Sequence, residues 1–494
     1  MSHSTCCPTA AAIPLTPDQL AALRPVFALL GQFAQALLDF QAAAASPQAT
    51  ADLEGQLADL LRQVGRAALE RTLNSLEPDE ADQVPATIKV GTTRYRRRDK
   101  SGISVDCTFG TFRLRRWLYE PADAGEACLF PLHHLLGLVA GRATPALADR
   151  VGRLVAQHSQ REALAILAQE NGLRWSAATL RKVSAGVAFR LGPHRQHAQA
   201  EQVLDWLRQA LRGRGPHEPV LAVGRDGIMV PLRPGGPQEA AVATVAVYDR
   251  RGQRLGTVYL GWMPQAEQVE LSRQLTALLN EVLQGWKGQR PRLVYVTDGG
   301  WHPEEYYRGV LRRMVDPRTG QTLCWQRVLD YYHAAGYVTK LAEALFVIGW
   351  QQQQWARRMR RVLKQDGGLT RLLQSAAYHR NQHRLRGSRQ EEFRKASRYL
   401  AKRRKLMDYA RYRRQGLPIG SGVTEAGCKV LVSQRLKRSG MGWKRPGGQV
   451  VLTLRCVWLS GIWARAWNAH LCQPCSAHLD SYAACLSATT RAAA

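Results

Sequence analysis

The chain is poor in acid. Its 494 residues include 39 Asp and Glu against 69 Lys and Arg, a formal charge of +30, which favours a polyanionic partner, nucleic acid first. Lysine is scarce as well: 57 of the basic residues are arginine and 12 are lysine, a bias suited to forked contacts with phosphates and guanine edges. No stretch reaches the roughly 18 uninterrupted apolar residues of a membrane helix. The N-terminus, with Cys6, Cys7 and Pro8, lacks the basic start and continuous apolar run of a signal peptide. The ten cysteines are scattered along the whole length, as befits thiols in a reducing compartment rather than a disulfide framework. With 45% apolar residues, the composition describes a folded, cytoplasmic protein with a large core.

Residues 1–80 read as a helical N-terminal region. Thr16 followed by Pro17 opens a helix with a stripe of Leu20, Leu23, Phe27 and Leu30, and Leu53, Leu57, Leu60, Leu61 and Val64 mark a second. These two helices pair either with each other or with a second subunit. Residues 86–195 combine a β-module with a helix-turn-helix-like region. Short β-runs (88–90, 103–105, 112–114) are broken by Gly91, Gly102 and Gly110 and carry Arg94, Arg96, Arg97, Arg98, Arg113, Arg115 and Arg116, either a DNA-contacting module or a solvated edge. Ser159 with Glu162 caps one helix, Asn171-Gly172 stops it, and Ser176 caps the next. On a DNA-binding reading, Arg174, Trp175, Thr179, Arg181 and Lys182 lie near the duplex.

From 218 to 336 the pattern is α/β. Strand-like runs at 221–230, 241–248 and 255–260 form a meander, a helix spans about Gln265 to Trp286, Leu293–Val296 ends on Thr297-Asp298-Gly299-Gly300, and the strand near Trp325–Leu329 ends on Asp330. Residues 337–416 read as a basic all-helical insertion. Between 357 and 414 there are 20 Lys or Arg and 4 Asp or Glu, a net of +16, so self-repulsion calls for a counter-polyanion such as DNA, with Arg403 and Arg404 among the contacts. Residues 417–468 resume the α/β domain with a Glu-bearing helix, and 469–494 form a C-terminal tail.

Phosphodiester cleavage by two Mg²⁺ or Mn²⁺ ions, roughly 4 Å apart, needs a cluster of hard carboxylate oxygens. Asp226 lies in the first meander strand, Asp298 at the end of an apolar strand, and Glu425 just beyond Gly420-Ser421-Gly422. Glu425, Lys429, Val432 and Leu436 repeat at helical spacing, so Glu425 is expected on a partly apolar stripe facing the sheet, where metal ligation offsets burial. The plainer alternative is a pair with Lys429 at i+4. Beyond residue 468, His470, Cys472, Cys475 and His478 are zinc-type ligands at tighter spacing than a zinc finger, and zinc is not expected.

The order Arg225-Asp226-Gly227, Val296-Thr297-Asp298-Gly299, Leu329-Asp330-Tyr331-Tyr332-His333, Ile419-Gly420-Ser421-Gly422 to Glu425 and Cys428-Lys429, then Arg435 to Gly440-Met441-Gly442-Trp443, resembles the IS-Kra type of bacterial insertion-sequence transposase over roughly residues 85 to 468. The resemblance implies an RNase H-like catalytic domain of the DDE class, with Asp226, Asp298 and Glu425 as catalytic metal ligands for two Mg²⁺ or Mn²⁺ ions. It also implies a bacterial, nucleoid-associated protein that binds double-stranded DNA at element ends and target, and acts as a homodimer or higher oligomer. Asp330 and His333 resemble an Asp-x-x-His element that aligns the scissile phosphate or metals; alternatively His333 caps or packs the following helix. Arg435, Lys437, Arg438 and Lys444 are expected on backbone phosphates. Where family members often carry paired cysteines after the β-module, this chain has Tyr119-Glu120-Pro121 and only Cys128. The competing readings are a non-enzymatic DNA-binding repressor or decayed copy, and an RNase H-like nuclease that does not join strands.

Overall fold

Capping and alternation in the sequence translate directly into elements in the computed structural model, which describes residues 15–42, 44–122, 125–472, 479, 482 and 486. The chain divides into two compact units, Met1–Val151 with Gln160–Gly186 and Leu471–Ala494, and Gly152–Ser159 with Val187–His470.

In the first unit, Thr16 and Gln19 cap the helix Pro17–Ala42 reciprocally, with N–H to side-chain distances of 3.0 and 3.2 Å. This helix is long and apolar enough to cross a membrane by length and composition, although no run in it is uninterrupted. It pairs with the helix Pro47–Asn74, and the hairpin leaves Leu20, Phe27, Leu30 and Leu38 exposed. Asn74 then ties the second helix to the β-module, donating to the Arg113 carbonyl and accepting from the Arg115 N–H.

That module is an antiparallel sheet of β1 (Thr87–Val90), β2 (Thr93–Cys107) and β3 (Gly110–Pro121). Gly102 does not break β2, as its sequence position suggested; it pairs with Arg115 inside the strand, and the irregularity falls between Arg97 and Lys100. Several of the module's arginines are spent internally: Arg116 is buried, Arg98 pairs with Glu120, and Arg115 pairs with Asp79. The expected tail adds to this core, since Leu479, Tyr482 and Leu486 are buried with Ile88, Trp117 and Tyr119.

Helix Gln160–Asn171, a turn with Gly172 in the left-handed region, and a helix beginning at Ala177 follow the expected helix-turn-helix spacing, with Ser176 accepting the Thr179 N–H at 3.1 Å. The second helix extends to Arg212, far past a recognition helix.

The second unit is a mixed sheet of β4 (Val220–Leu232), β5 (Gly236–Tyr248), β6 (Arg254–Trp262), β7 (Arg292–Thr297) and β8 (Trp325–Leu329), in the order β6-β5-β4-β7-β8. The first three strands are the antiparallel meander, while β4, β7 and β8 run parallel. Both faces are covered, as parallel strands require. Odd-numbered β4 residues Leu221 and Val223 pack with the helix Val269–Gly285 and the residues from Ala200 to Ala210. Even-numbered Val220 and Ala222, with Val294 and Val296, pack beneath the helices Tyr331–Leu345, Gly349–Leu363, Gly368–Gln382 and Gly387–Lys402. The basic helices thus bury an apolar face on the sheet and keep most of their charge outside.

Candidate active site

The parallel register sets the site. Val220 pairs with Arg292 and Gly224 with Val296, so continuing that register by two residues brings Asp226 level with Asp298. Likewise Thr297 pairs with Leu329, which brings Asp298 level with Asp330. Asp298 and Asp330 each follow directly on their strands, so the three acids stand at the same end of three adjacent parallel strands. Asp226 and Asp298 have the parity of Ala222 and Val296, hence the face covered by the basic helices. Arg225 takes the opposite face. It is buried there, donating to Ser272 Oγ at 2.9 Å and Gln268 Oε1 at 3.0 Å and lying over the Tyr306 ring.

Glu425 arrives on the short helix Gly422–Cys428, laid against β4 and β5 at small residues. Thr424 and Thr244 hydroxyls meet at 2.8 Å, and a Cβ on Gly224 would stand 2.0 Å from Thr424 Oγ1. Only glycine lets the helix approach this closely. Contrary to the stripe expected from its spacing, Glu425 is exposed, and Lys429, also exposed, does not pair with it. The reason is a π-helical turn at Lys429–Ser433, which breaks the i, i+4 period connecting Glu425 to Val432 and Leu436. The Glu425 carboxylate instead accepts from Ser421 Oγ at 3.0 Å.

The other carboxylates are held by main-chain donors. Asp226 accepts the Gly227 N–H at 2.7 Å and lies 3.5 Å from the Cys428 thiol, while Asp298 accepts the Gly300 N–H at 2.8 Å. None of Asp226, Asp298 and Glu425 forms an ion pair among the described residues, although the chain carries 69 cations. Burial first, and then the charges of Asp298 and Glu425, raise the Asp226 carboxyl above its usual range despite the Gly227 N–H. Burial and the Asp226, Glu425 and Glu239 charges push the Cys428 thiol far up as well, so it stays protonated. As they stand, no three His, Cys, Asp or Glu side chains among the described residues are close enough together to grip a metal ion. Mutually repelling acids without a cation nonetheless form a donor set that a hard divalent ion would satisfy.

Asp330 has a different job. It is fully buried and accepts three main-chain N–H groups: His333 at 2.7 Å, Tyr332 at 3.3 Å and Ser421 at 2.8 Å. It caps the helix Tyr331–Leu345 and pins the Gly-Ser-Gly turn that launches the Glu425 helix. The His333 ring packs near Tyr337 and Tyr399, the packing alternative of the sequence reading.

The expected DNA contacts separate into two groups. Arg174, Arg181, Lys182, Arg404, Lys437, Arg438 and Lys444 are exposed, and Thr179 and Arg403 half-buried. Two are corrected. Arg435 is 1% exposed and donates through Nε to the Val155 carbonyl at 3.2 Å, so it serves the core rather than a phosphate. Trp175 is buried with Nε1 on Asp106, at 2.7 Å. Cys475 and His478 of the C-terminal cluster lie outside the described residues.

Sequence reasoning missed Glu239 and Tyr399, and it quoted Cys428 only within the motif order, with no role at the site. Cys428 follows Glu425 by three positions, one helical turn, and that spacing was available as a signal. Glu239 and Tyr399 reach the site only through long-range pairing. The Tyr399 hydroxyl donates to the Asp298 carbonyl at 2.7 Å, its ring stacks on Tyr337 at 3.6 Å, and Arg403 lies over it at 3.9 Å. No protein-family model matches this chain, and no curated protein matches it.

Proposed function

We propose that the chain is a DDE-type transposase whose second unit is an RNase H-like nucleotidyl-transfer domain, with the basic helices inserted before the Glu425 helix. One observation carries the reading: Asp226 and Asp298 stand at the same end of adjacent parallel strands, and Asp226 senses both Asp298 and Glu425, with no ion pair to any of the three among the described residues of a chain of +30. The strand order and the motif order resembling IS-Kra transposases support the same reading.

Asp226, Asp298 and Glu425 would hold Mg²⁺ or Mn²⁺, which when bound supplies positive charge to the attacking and leaving oxygens of a phosphodiester. The chain's own residues set the geometry. Gly227 and Gly300 N–H groups orient two carboxylates, Ser421 Oγ orients the third, and Asp330 holds the turn that delivers it. Water attacks the phosphorus at the element end, the P–O3′ bond breaks and the freed 3′-oxygen takes up the proton; that 3′-hydroxyl then attacks the phosphorus of a target phosphodiester, whose own P–O3′ bond breaks so that the target's 3′-oxygen leaves carrying the proton. Residues 86–190 are assigned to recognition of the terminal repeats, and synapsis of two ends requires at least a dimer.

The test incubates purified protein with labelled element-end DNA and Mg²⁺, comparing wild type with Asp226→Ala, Asp298→Ala and Glu425→Gln. Cutting and joining that both disappear in all three variants support the proposal. Cleavage surviving all three changes would remove the triad. Binding without cutting favours a repressor or decayed copy, and cutting without joining favours a nuclease.

A further inference from the structure

A cavity of about 620 Å³ opens one residue beyond Asp298, with Gly299 in its wall. Its other polar lining is almost entirely cationic: Arg308, Arg327, Lys402, Arg403, Arg404 and Lys405, against the single acid Glu304. Half of these cations are braced. Glu304 bridges Arg308, at 2.8 Å, and Arg327, which also lies over the Tyr307 ring. Arg403 donates to the Gly299 carbonyl at 3.2 Å and stacks on Tyr399. Lys402, Arg404 and Lys405 are exposed, and their side chains make no hydrogen bond or ion pair among the described residues.

Six cations facing one acid repel one another, and among the described residues Glu304 alone forms ion pairs with any of them. The braced arginines form a fixed floor, and the three unpaired side chains are available to a ligand. That ligand is an extended polyanion, because the cavity is open and its cations are spread over three elements: the helix Trp301–Gly309, β8, and the end of the helix Gly387–Lys402 with the turn after it. One strand of duplex DNA presents a phosphate about every 3.4 Å of helix axis. Gly299 follows Asp298 directly, so a strand whose scissile phosphate reached the carboxylates would carry its neighbouring phosphates toward this cavity.

We propose that this cavity is a phosphate subsite that takes the backbone phosphates of the DNA strand immediately beside the bond cut at the carboxylates. This rests on the transposase reading for the identity of the strand. Phosphate contacts of this kind fix register and carry no sequence information, so the subsite places the scissile bond rather than selecting it.

The test measures anisotropy of the full-length chain with a labelled duplex of arbitrary sequence across a salt series, for wild type, Arg404→Ala/Lys405→Ala and Arg404→Lys/Lys405→Arg. Removing two phosphate contacts lowers the slope of log K against log salt by about 2 and weakens binding at least tenfold at low salt, while the charge-conserving variant keeps the slope. Both changed residues are exposed, and equal melting temperatures verify folding. An unchanged slope in the alanine variant overturns the subsite. On DNA that wild type cuts, a neutral methylphosphonate next to the cut should slow wild type and leave the alanine variant unaffected. An equal penalty in both proteins also overturns it. Asp298→Asn separates the two claims: it abolishes cutting with the salt slope intact. A wild type that binds with the full slope but cuts nothing contradicts the transposase reading and not the subsite.

Discussion

The Tyr399 hydroxyl donates to the main-chain carbonyl of Asp298 at 2.7 Å, so a residue of the basic helices holds the loop of a candidate metal ligand. Tyr399→Phe keeps the stack on Tyr337 and deletes that bond alone. A net hydrogen bond is worth about 1 kcal/mol, so activity at limiting Mg²⁺ should fall roughly fivefold. Raising Mg²⁺ should recover most of it, with DNA affinity unchanged. A loss that no metal concentration repairs would assign Tyr399 a purely structural part.

Asp298 and Asp330 follow directly on the adjacent strands β7 and β8, and stability separates the proposed metal ligand from the scaffold. Asp330→Ala leaves three main-chain N–H groups without their acceptor, of which the one from Ser421 is buried, and should destabilise the chain by roughly 2–4 kcal/mol, with activity lost alongside. Asp298→Asn removes a charge from a mutually repelling set and should leave the melting temperature unchanged or slightly higher while abolishing activity. Thermal melts of both variants decide the assignment. A stable, inactive Asp330→Ala would make Asp330 a ligand rather than a scaffold.

Arg435 provides a third contrast. Its buried guanidinium donates to a main-chain carbonyl, so Arg435→Ala should lower the melting temperature and leave the salt slope of DNA binding intact. Lys437→Ala and Lys444→Ala, at exposed positions, should each lower the slope by about 1 with stability unchanged. A lower slope for Arg435→Ala, with normal melting, contradicts its burial.

In the first unit, Glu77 is 2% exposed, and burial raises its carboxyl above 4.5 despite the Tyr482 hydroxyl and the Trp117 N–H. A raised folded-state value means that the folded chain holds the proton more tightly than the unfolded one. The resulting stability is present below the unfolded value near 4.5 and is lost as pH rises through the folded value. Wild type minus Glu77→Gln, compared by melting temperature across that range, should show wild type losing ground as pH increases. A difference that does not vary with pH would contradict the assignment.

Much of this was legible because apolar runs and turns are local. The strands at 293–296 and 325–329, the meander, the two N-terminal helices and the Ser176 cap all followed from nearby residues, while the pairing of those two helices did not. The alignment of the carboxylates was not legible, since it depends on a register between strands 72 residues apart, Val220 with Arg292. Glu425 was identified by its Gly-Ser-Gly turn but misplaced as buried, because a π-helical turn cannot be read from a 3.6-residue period. Trp175, expected near DNA from the helix-turn-helix spacing, and Arg435, expected on a phosphate from the transposase reading, are instead buried, hydrogen-bonded to Asp106 and to the Val155 carbonyl. Gly224 shows the remaining limit: its lack of a side chain matters only because Thr424, 200 residues later, rests on it.

Asp226, Asp298 and Glu425 are proposed to converge on one divalent-metal site. Replacing Mg²⁺ with Fe²⁺ and adding ascorbate and peroxide cuts a polypeptide wherever the iron is bound. Backbone cleavage is expected near all three positions at once, suppressed by excess Mg²⁺ and lost together in Asp298→Asn. Fragments confined to unrelated segments, or cleavage that Asp298→Asn leaves intact, would contradict it.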